Sequence, residues 1–192
     1  MIKKILLLSF ALAAWSFTAA AQQIRNSIVF GAVASQVDGD NLAGFHKPGL
    51  VFGGSSAFLF TDKFSLQPEI LYIQKGSKTT NKHDYYLKYR LNYISIPVIA
   101  QYKFHEKFTA QGGLSADYLI SARKNEGFDF FEPVDEGFKK IDVNAIGAVE
   151  YKLSDNFGLN LRYRYSVRGI SSIGLYNNLV VISLRYYLQN PS

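Results

Sequence analysis

The chain of 192 residues contains no cysteine, which excludes a disulfide framework, thiolate catalysis and lipid attachment to an N-terminal cysteine. No block of lysine and arginine occurs, so nucleic acid is not an expected partner. There is no glycine-rich phosphate motif, and Asp38-Gly39-Asp40-Asn41 starts like a calcium loop but lacks the later ligands, so it reads as a turn. Beyond the N-terminus no stretch approaches the ~20 apolar residues of a transmembrane helix. Tryptophan occurs once, as Trp15, inside that N-terminal segment.

That segment has the parts of a secretory signal peptide, predicted over residues 1–21. Lys3 and Lys4 supply the positive start, Ile5 to Phe17 the apolar run of 13 residues, and Ala19-Ala20-Ala21 the small residues before Gln22. Loss of the two lysines lowers the formal charge from +6 to +4. Residues 22–192, about 170 residues, suffice for one domain. With 13 tyrosines and 15 phenylalanines the chain is rich in aromatics.

A rhythm of turns organises this domain. Phe60 to Phe64 (FTDKF), Phe104 to Phe108 (FHEKF) and Leu153 to Phe157 (LSDNF) each place three polar residues between two apolar ones, and they recur after 44 and 49 residues. Longer polar stretches alternate with them, over 38–48, 76–88, 123–137 and 168–177. The cuts leave eight predicted strands: 27–37, 49–60, 64–75, 89–104, 108–122, 139–153, 157–167 and 178–188. Most are about 10 to 15 residues, longer than the usual strand of a soluble sheet and suited to a tilted membrane crossing.

Each strand has a dry and a wet face. In the seventh, Leu159, Leu161 and Tyr163 oppose Asn160, Arg162 and Arg164; in the fifth, Leu114, Ala116 and Tyr118 oppose Ser115 and Asp117. The phase of the fourth slips near Asn92, where a bulge is expected. In the eighth, Leu179, Val181 and Tyr187 blur the wet face. A soluble periplasmic barrel holding an apolar ligand would also alternate, with its leucines inside. Against it, aromatics gather beside the short turns (Phe60, Phe64, Phe104, Phe108, Phe157, Tyr186), where a membrane barrel has its interfacial girdle.

The predicted fold is therefore an all-β, eight-stranded, antiparallel, up-and-down transmembrane barrel, with termini and short turns on the periplasmic side. The wet faces carry acids (Glu69, Asp117, Asp142, Glu150) and bases (Lys75, Lys103, Arg162, Arg164, Arg185). A lumen of eight strands is only wide enough to be filled by side chains, so these charges are expected to pair inside it.

Four segments resemble the small outer-membrane β-barrel proteins of Bacteroidetes, the PorT-like or porin-family barrels. They are GDNLAGFHKPGLVFG (Gly39 to Gly53), LQPEILYIQKGSK (Leu66 to Lys78), LNYISIPVIAQYKF (Leu91 to Phe104) and NNLVVISLRYYL (Asn177 to Leu188). The resemblance spans essentially the whole chain after the signal segment and implies a fold family rather than an activity. Members often carry an acid where Ser95 stands, and often finish on an aromatic residue that helps the barrel-assembly machinery recognise the last strand. Here the final residues are Tyr-Tyr-Leu-Gln-Asn-Pro-Ser, so that recognition would fall to Tyr186 and Tyr187.

Candidates for chemistry are sparse. His46 near Asp38 and Asp40, and His83 beside Asp84, could serve as base and orienter for a serine, but no serine has a nucleophile context, and further metal ligands are missing. His105 lies in a short turn. No catalysis, cofactor or metal is expected. The third long loop, Arg123 to Lys140, brings Phe128, Phe130, Phe131 and Phe138 together among five acids, a candidate contact surface. The expected function is structural or interaction-based, with outer loops meeting an extracellular protein or glycan, and a narrow porin-like channel is the alternative. Expected partners are outer-membrane lipid and lipopolysaccharide, and the barrel-assembly machinery during biogenesis. The protein should sediment with outer membranes, and its unboiled band should migrate differently from the boiled one on a detergent gel; recovery in the soluble periplasm would invert the assignment of faces.

Overall fold

The computed structural model describes residues 23–39, 44–79, 87–126, 130–134, 137–172 and 174–188; the predicted signal peptide lies outside them. The strands are β1 (Gln23–Asp38), β2 (Lys47–Leu59), β3 (Phe64–Lys75), β4 (Lys88–His105), β5 (Phe108–Asn125), β6 (Glu132–Pro133), β7 (Ile141–Lys152), β8 (Phe157–Ser166) and β9 (Tyr176–Tyr187). All pairings are antiparallel. Eight strands run in sequence round a closed circuit, with β6 skipped and β9 returning to β1. Closure leaves no unpaired edge, which a sheet crossing hydrocarbon requires.

The eight barrel strands are those expected from the turn rhythm. The largest difference is at β1, which begins at Gln23 rather than 27. Its first residues lack the alternation that marks a strand, but β2 carries the ladder down to Gln23↔Leu59. β6 was not expected; it is a two-residue strand inside the third long loop, paired with Arg123 and Lys124 of β5. The first and third short turns share one device, in which Thr61 and Ser154 accept from the backbone N–H of Phe64 and Phe157. The second is tighter, with His105 paired directly to Phe108.

The faces are inside-out relative to a soluble protein. Leu159 and Leu161 of β8 are 37% and 56% exposed, while Arg164 and Arg185 are fully buried. A soluble barrel with those leucines lining its core is overturned. The outward row of Ile94, Ile96 and Val98 on β4, continued by Leu114 and Tyr118 on β5, forms part of an exposed apolar belt. At its short-turn rim Phe104 stacks on Phe108, and tilted ring contacts join Phe108 to Tyr151 and Phe157 to Tyr186.

One phase reading is refined. β4 keeps its alternation through Asn92, with Leu91, Tyr93 and Ile99 all pointing inward and buried. The slip belongs to β5: Asn92 faces Ser121 and Tyr93 faces Leu119, leaving Ile120 as the extra residue. The sequence suggested otherwise because the lumen is itself apolar toward the long loops. There Val37, Val51, Ile73, Leu91, Tyr93 and Leu119 pack with Ile170 and Leu175 of the β8–β9 loop. Leu179 and Val181 belong to this cluster, which explains the blurred face of β9.

A Cβ on Gly113 would lie 2.1 Å from the Val98 carbonyl oxygen, whereas one on Gly147 would meet nothing within 4 Å. Gly113→Ala should therefore destabilise the barrel by about 1–3 kcal/mol, and Gly147→Ala should stay within about 0.5 kcal/mol of the parent. Midpoints of the boiled-to-unboiled band transition in a temperature series measure both.

Candidate functional site

Because inward positions recur every second residue, each strand delivers a column of polar side chains to the lumen, and these join in two groups. In the first, Arg162 of β8 grips Glu69 of β3 in a fork, from Nη1 to Oε2 at 2.7 Å and from Nη2 to Oε1 at 3.0 Å. Arg185 of β9 donates to the same Oε1 at 3.0 Å, and its Nε lies 3.0 Å from Glu150 Oε2. The Tyr187 hydroxyl donates to Glu150. Gln111 donates to Glu150 at 3.2 Å and accepts from Asn160 at 2.9 Å.

In the second group Asp117 of β5 accepts from Arg164 at 2.7 Å and faces Lys75 at 2.6 Å. Lys75 is also 2.6 Å from Asp142, which accepts from Ser166 at 2.7 Å and Asn177 at 2.8 Å. Ser95 accepts from Arg164 at 3.0 Å and donates to Asp117 at 2.6 Å. Asp117 is its ladder partner, so the carboxylate that Arg164 needs comes from the adjacent strand. Each group balances two carboxylates with two cations. The balance matters because removing one partner of a buried pair leaves a charge without compensation.

Lys103 does not join this network, contrary to its placement among the interior charges. It stands near the end of β4 beside a register shift, where its long stem carries the ammonium into water. It is exposed at the short-turn mouth, in a cavity of about 700 Å³ also lined by Arg25, Lys63, Lys152, Asp62 and Asp155. There Lys152 bonds Asp155 at 2.6 Å and holds its carboxyl below the ordinary value by that bond and its charge. Lys75, also expected inside, is the network's fourth cation, beside Arg162, Arg164 and Arg185. The bridging residues Ser95, Gln111, Asn160, Asn177 and Tyr187 carry no charge; their signal is their place on the inward phase.

At the long-loop end the four phenylalanines part company. Phe130 is 82% exposed. The Phe131 ring lies under Arg90 at 4.3 Å and Lys88 at 5.4 Å. Phe138 is half-buried, packs on the lumen cluster and on Tyr89, and pairs with Ser171. Phe128 lies outside the described residues, as do Asp40, His83 and Asp84. His46 is exposed, and Asp38 accepts from Gln36 at 2.6 Å and Asn178 at 3.3 Å. His105 is exposed at the end of β4.

The family model described as outer membrane protein beta-barrel domain matches residues 14–172. Among solved structures, the chain is similar to Ail, the attachment invasion locus protein of Yersinia pestis, in complex with the heparin analogue sucrose octasulfate. The TM-score is 0.58 at 15% identity, covering 86% of this chain and 99% of that one. It is also similar to Neisserial surface protein A, with a TM-score of 0.56 at 13% identity, covering 84% of this chain and 96% of that one. At such identities the likeness is one of fold. No curated protein matches the sequence.

Glu69→Ala should strand two buried guanidiniums and lower stability by about 3–5 kcal/mol, whereas Lys103→Ala should be close to neutral. Urea unfolding in detergent, followed by the band shift, compares the two.

Proposed function

The chain belongs to the outer membrane protein beta-barrel domain family, and from that premise we propose that it is a surface interaction protein, held in the outer membrane and meeting its partner through the long loops. The filled lumen carries this reading. Four ion-paired acids and four bases occupy one part of it, and Ile170 and Leu175 fold into the apolar part, which disfavours the narrow channel. What remains available is the loop end, where Phe130 projects into solvent.

In this reading residues 1–21 direct export, the short turns and both termini face the periplasm, and the barrel-assembly machinery inserts the chain through its last strand. The grouping with the PorT-like barrels of Bacteroidetes rests on the four sequence segments given above. Partners are outer-membrane lipid and lipopolysaccharide along the wall, and an extracellular protein or glycan at the loops. Ail in complex with a heparin analogue makes glycans a reasonable first class to test. No catalytic role is assigned to His46 or His83.

Replacing residues 126–138 by a short Gly-Ser linker should abolish binding of whole cells to glycan- and protein-coated surfaces while the heat-modifiable band persists. Purified protein in planar bilayers should give no steps above the lipid background. Undiminished binding by the loop variant would overturn the loop assignment, and stepwise conductance would restore the channel.

A further inference from the structure

Above the apolar belt β5 changes neighbours. β7 accompanies it only to Tyr118↔Ile141, and β6 takes over at Arg123↔Pro133. In the gap between these pairings the bulge at Ile120 falls, and a notch of about 250 Å³ opens, lined among others by Ile120, Arg123, Pro133, Val134, Phe138 and Lys140. Its lining is apolar toward the belt and cationic at the edge.

The bulge also reverses the phase of β5. Ala122 turns in to the lumen cluster, so Arg123 turns out, directly opposite Arg90 of β4. Like charges facing each other across a ladder repel. Lys88, two residues from Arg90 on the same face, adds a third cation. The Phe131 ring under Arg90 and Lys88 offsets part of this charge. Among the described residues no ion pair includes Lys88, Arg90 or Arg123; Glu126 pairs with Lys124 at 3.2 Å, and Glu132 lies across from Lys124. This cationic group sits just beyond Ile94 and Tyr118, both exposed on the belt, at the level where hydrocarbon gives way to headgroups.

We infer that Arg90, Arg123 and Lys88, with the notch beside them, form a binding site for a phosphorylated lipid of the outer leaflet. The phosphate bridges the two guanidiniums, whose planar forks suit its oxygens, and an alkyl segment lies against Ile120 and Pro133. An anion at this point relieves the Arg90–Arg123 repulsion, which a neutral headgroup does not. The site deepens the lipid contact proposed above and rests on the long loops lying outside the cell.

The test uses the full folded barrel in phosphatidylcholine nanodiscs titrated with diphosphoryl lipid A, with bound lipid counted by native mass spectrometry. The parent should retain lipid A, and Arg90→Ala with Arg123→Ala should weaken retention by about tenfold or more, the loss expected for charge-assisted hydrogen bonds. Arg90→Lys with Arg123→Lys should restore part of it, and Lys103→Ala at the opposite mouth should change nothing. Equal retention by the double alanine variant would overturn the site, as would inorganic phosphate displacing lipid A at equal concentration, which would mark a soluble anion as the ligand. The band shift of each variant and protease access to the loops on intact cells are read in parallel. A correctly inserted barrel that ignores lipid A sinks the site alone, while loops inaccessible from outside sink the proposed orientation.

Discussion

The carboxylate of Glu69 answers two guanidiniums at once, and the barrel's register depends on it. Its partners lie 93 and 116 residues further along the chain, so β3 is tied across the lumen to β8 and β9 rather than to its ladder neighbours. A slip of one residue on β3 would turn Glu69 out into hydrocarbon and leave Arg162 and Arg185 facing each other inside. The backbone ladder tolerates many registers in principle; the buried charges accept one.

The lumen divides its labour. The charged groups crosslink β3, β5, β7, β8 and β9, and the apolar cluster joins β1, β2, β3, β5, β9 and the first residues of β4 to the β8–β9 loop. Specificity of pairing comes from the first, because misplaced charges are costly. Closure of the loop end comes from the second, because Ile170, Leu175 and Phe138 gain by leaving water. The outer wall contributes neither function and is free to match lipid, which is why its residues are interchangeable aliphatics and aromatics while the inner columns are particular.

Much of this was legible in the sequence. Period-two alternation and three short turns located the eight strands, and the amphipathic faces with mixed charge identified which side was the lumen. Less legible was anything set by geometry across strands. Lys103 is on the wet face by parity but too near the mouth to be buried, and nothing in its neighbours reveals that. The bulge expected near Asn92 is present as a register shift between Asn92 and Tyr93, but its extra residue, Ile120, sits on the facing strand, which the dry look of both phases of β4 conceals. The role of Ser95 follows from its ladder partner Asp117, and that of Tyr187 from a bond reaching past β8 to Glu150; single-strand periodicity supplies neither. Of the four loop phenylalanines, composition could not separate Phe138, which caps the lumen, from Phe130, which faces solvent.

The pairing of β1 with β9 has a kinetic meaning. Ser27 and Tyr187 are ladder partners although nearly the whole domain separates them, so the seam is a contact of very high sequence separation, the kind that slows folding most. Every other neighbouring pair of barrel strands can form as its second strand arrives; this one must wait for the last. Until then β1 carries an open row of N–H and C=O groups, a template on which a second chain could pair. Passage through the envelope is thus the period of greatest exposure to misassembly, and it ends only when the final strand docks.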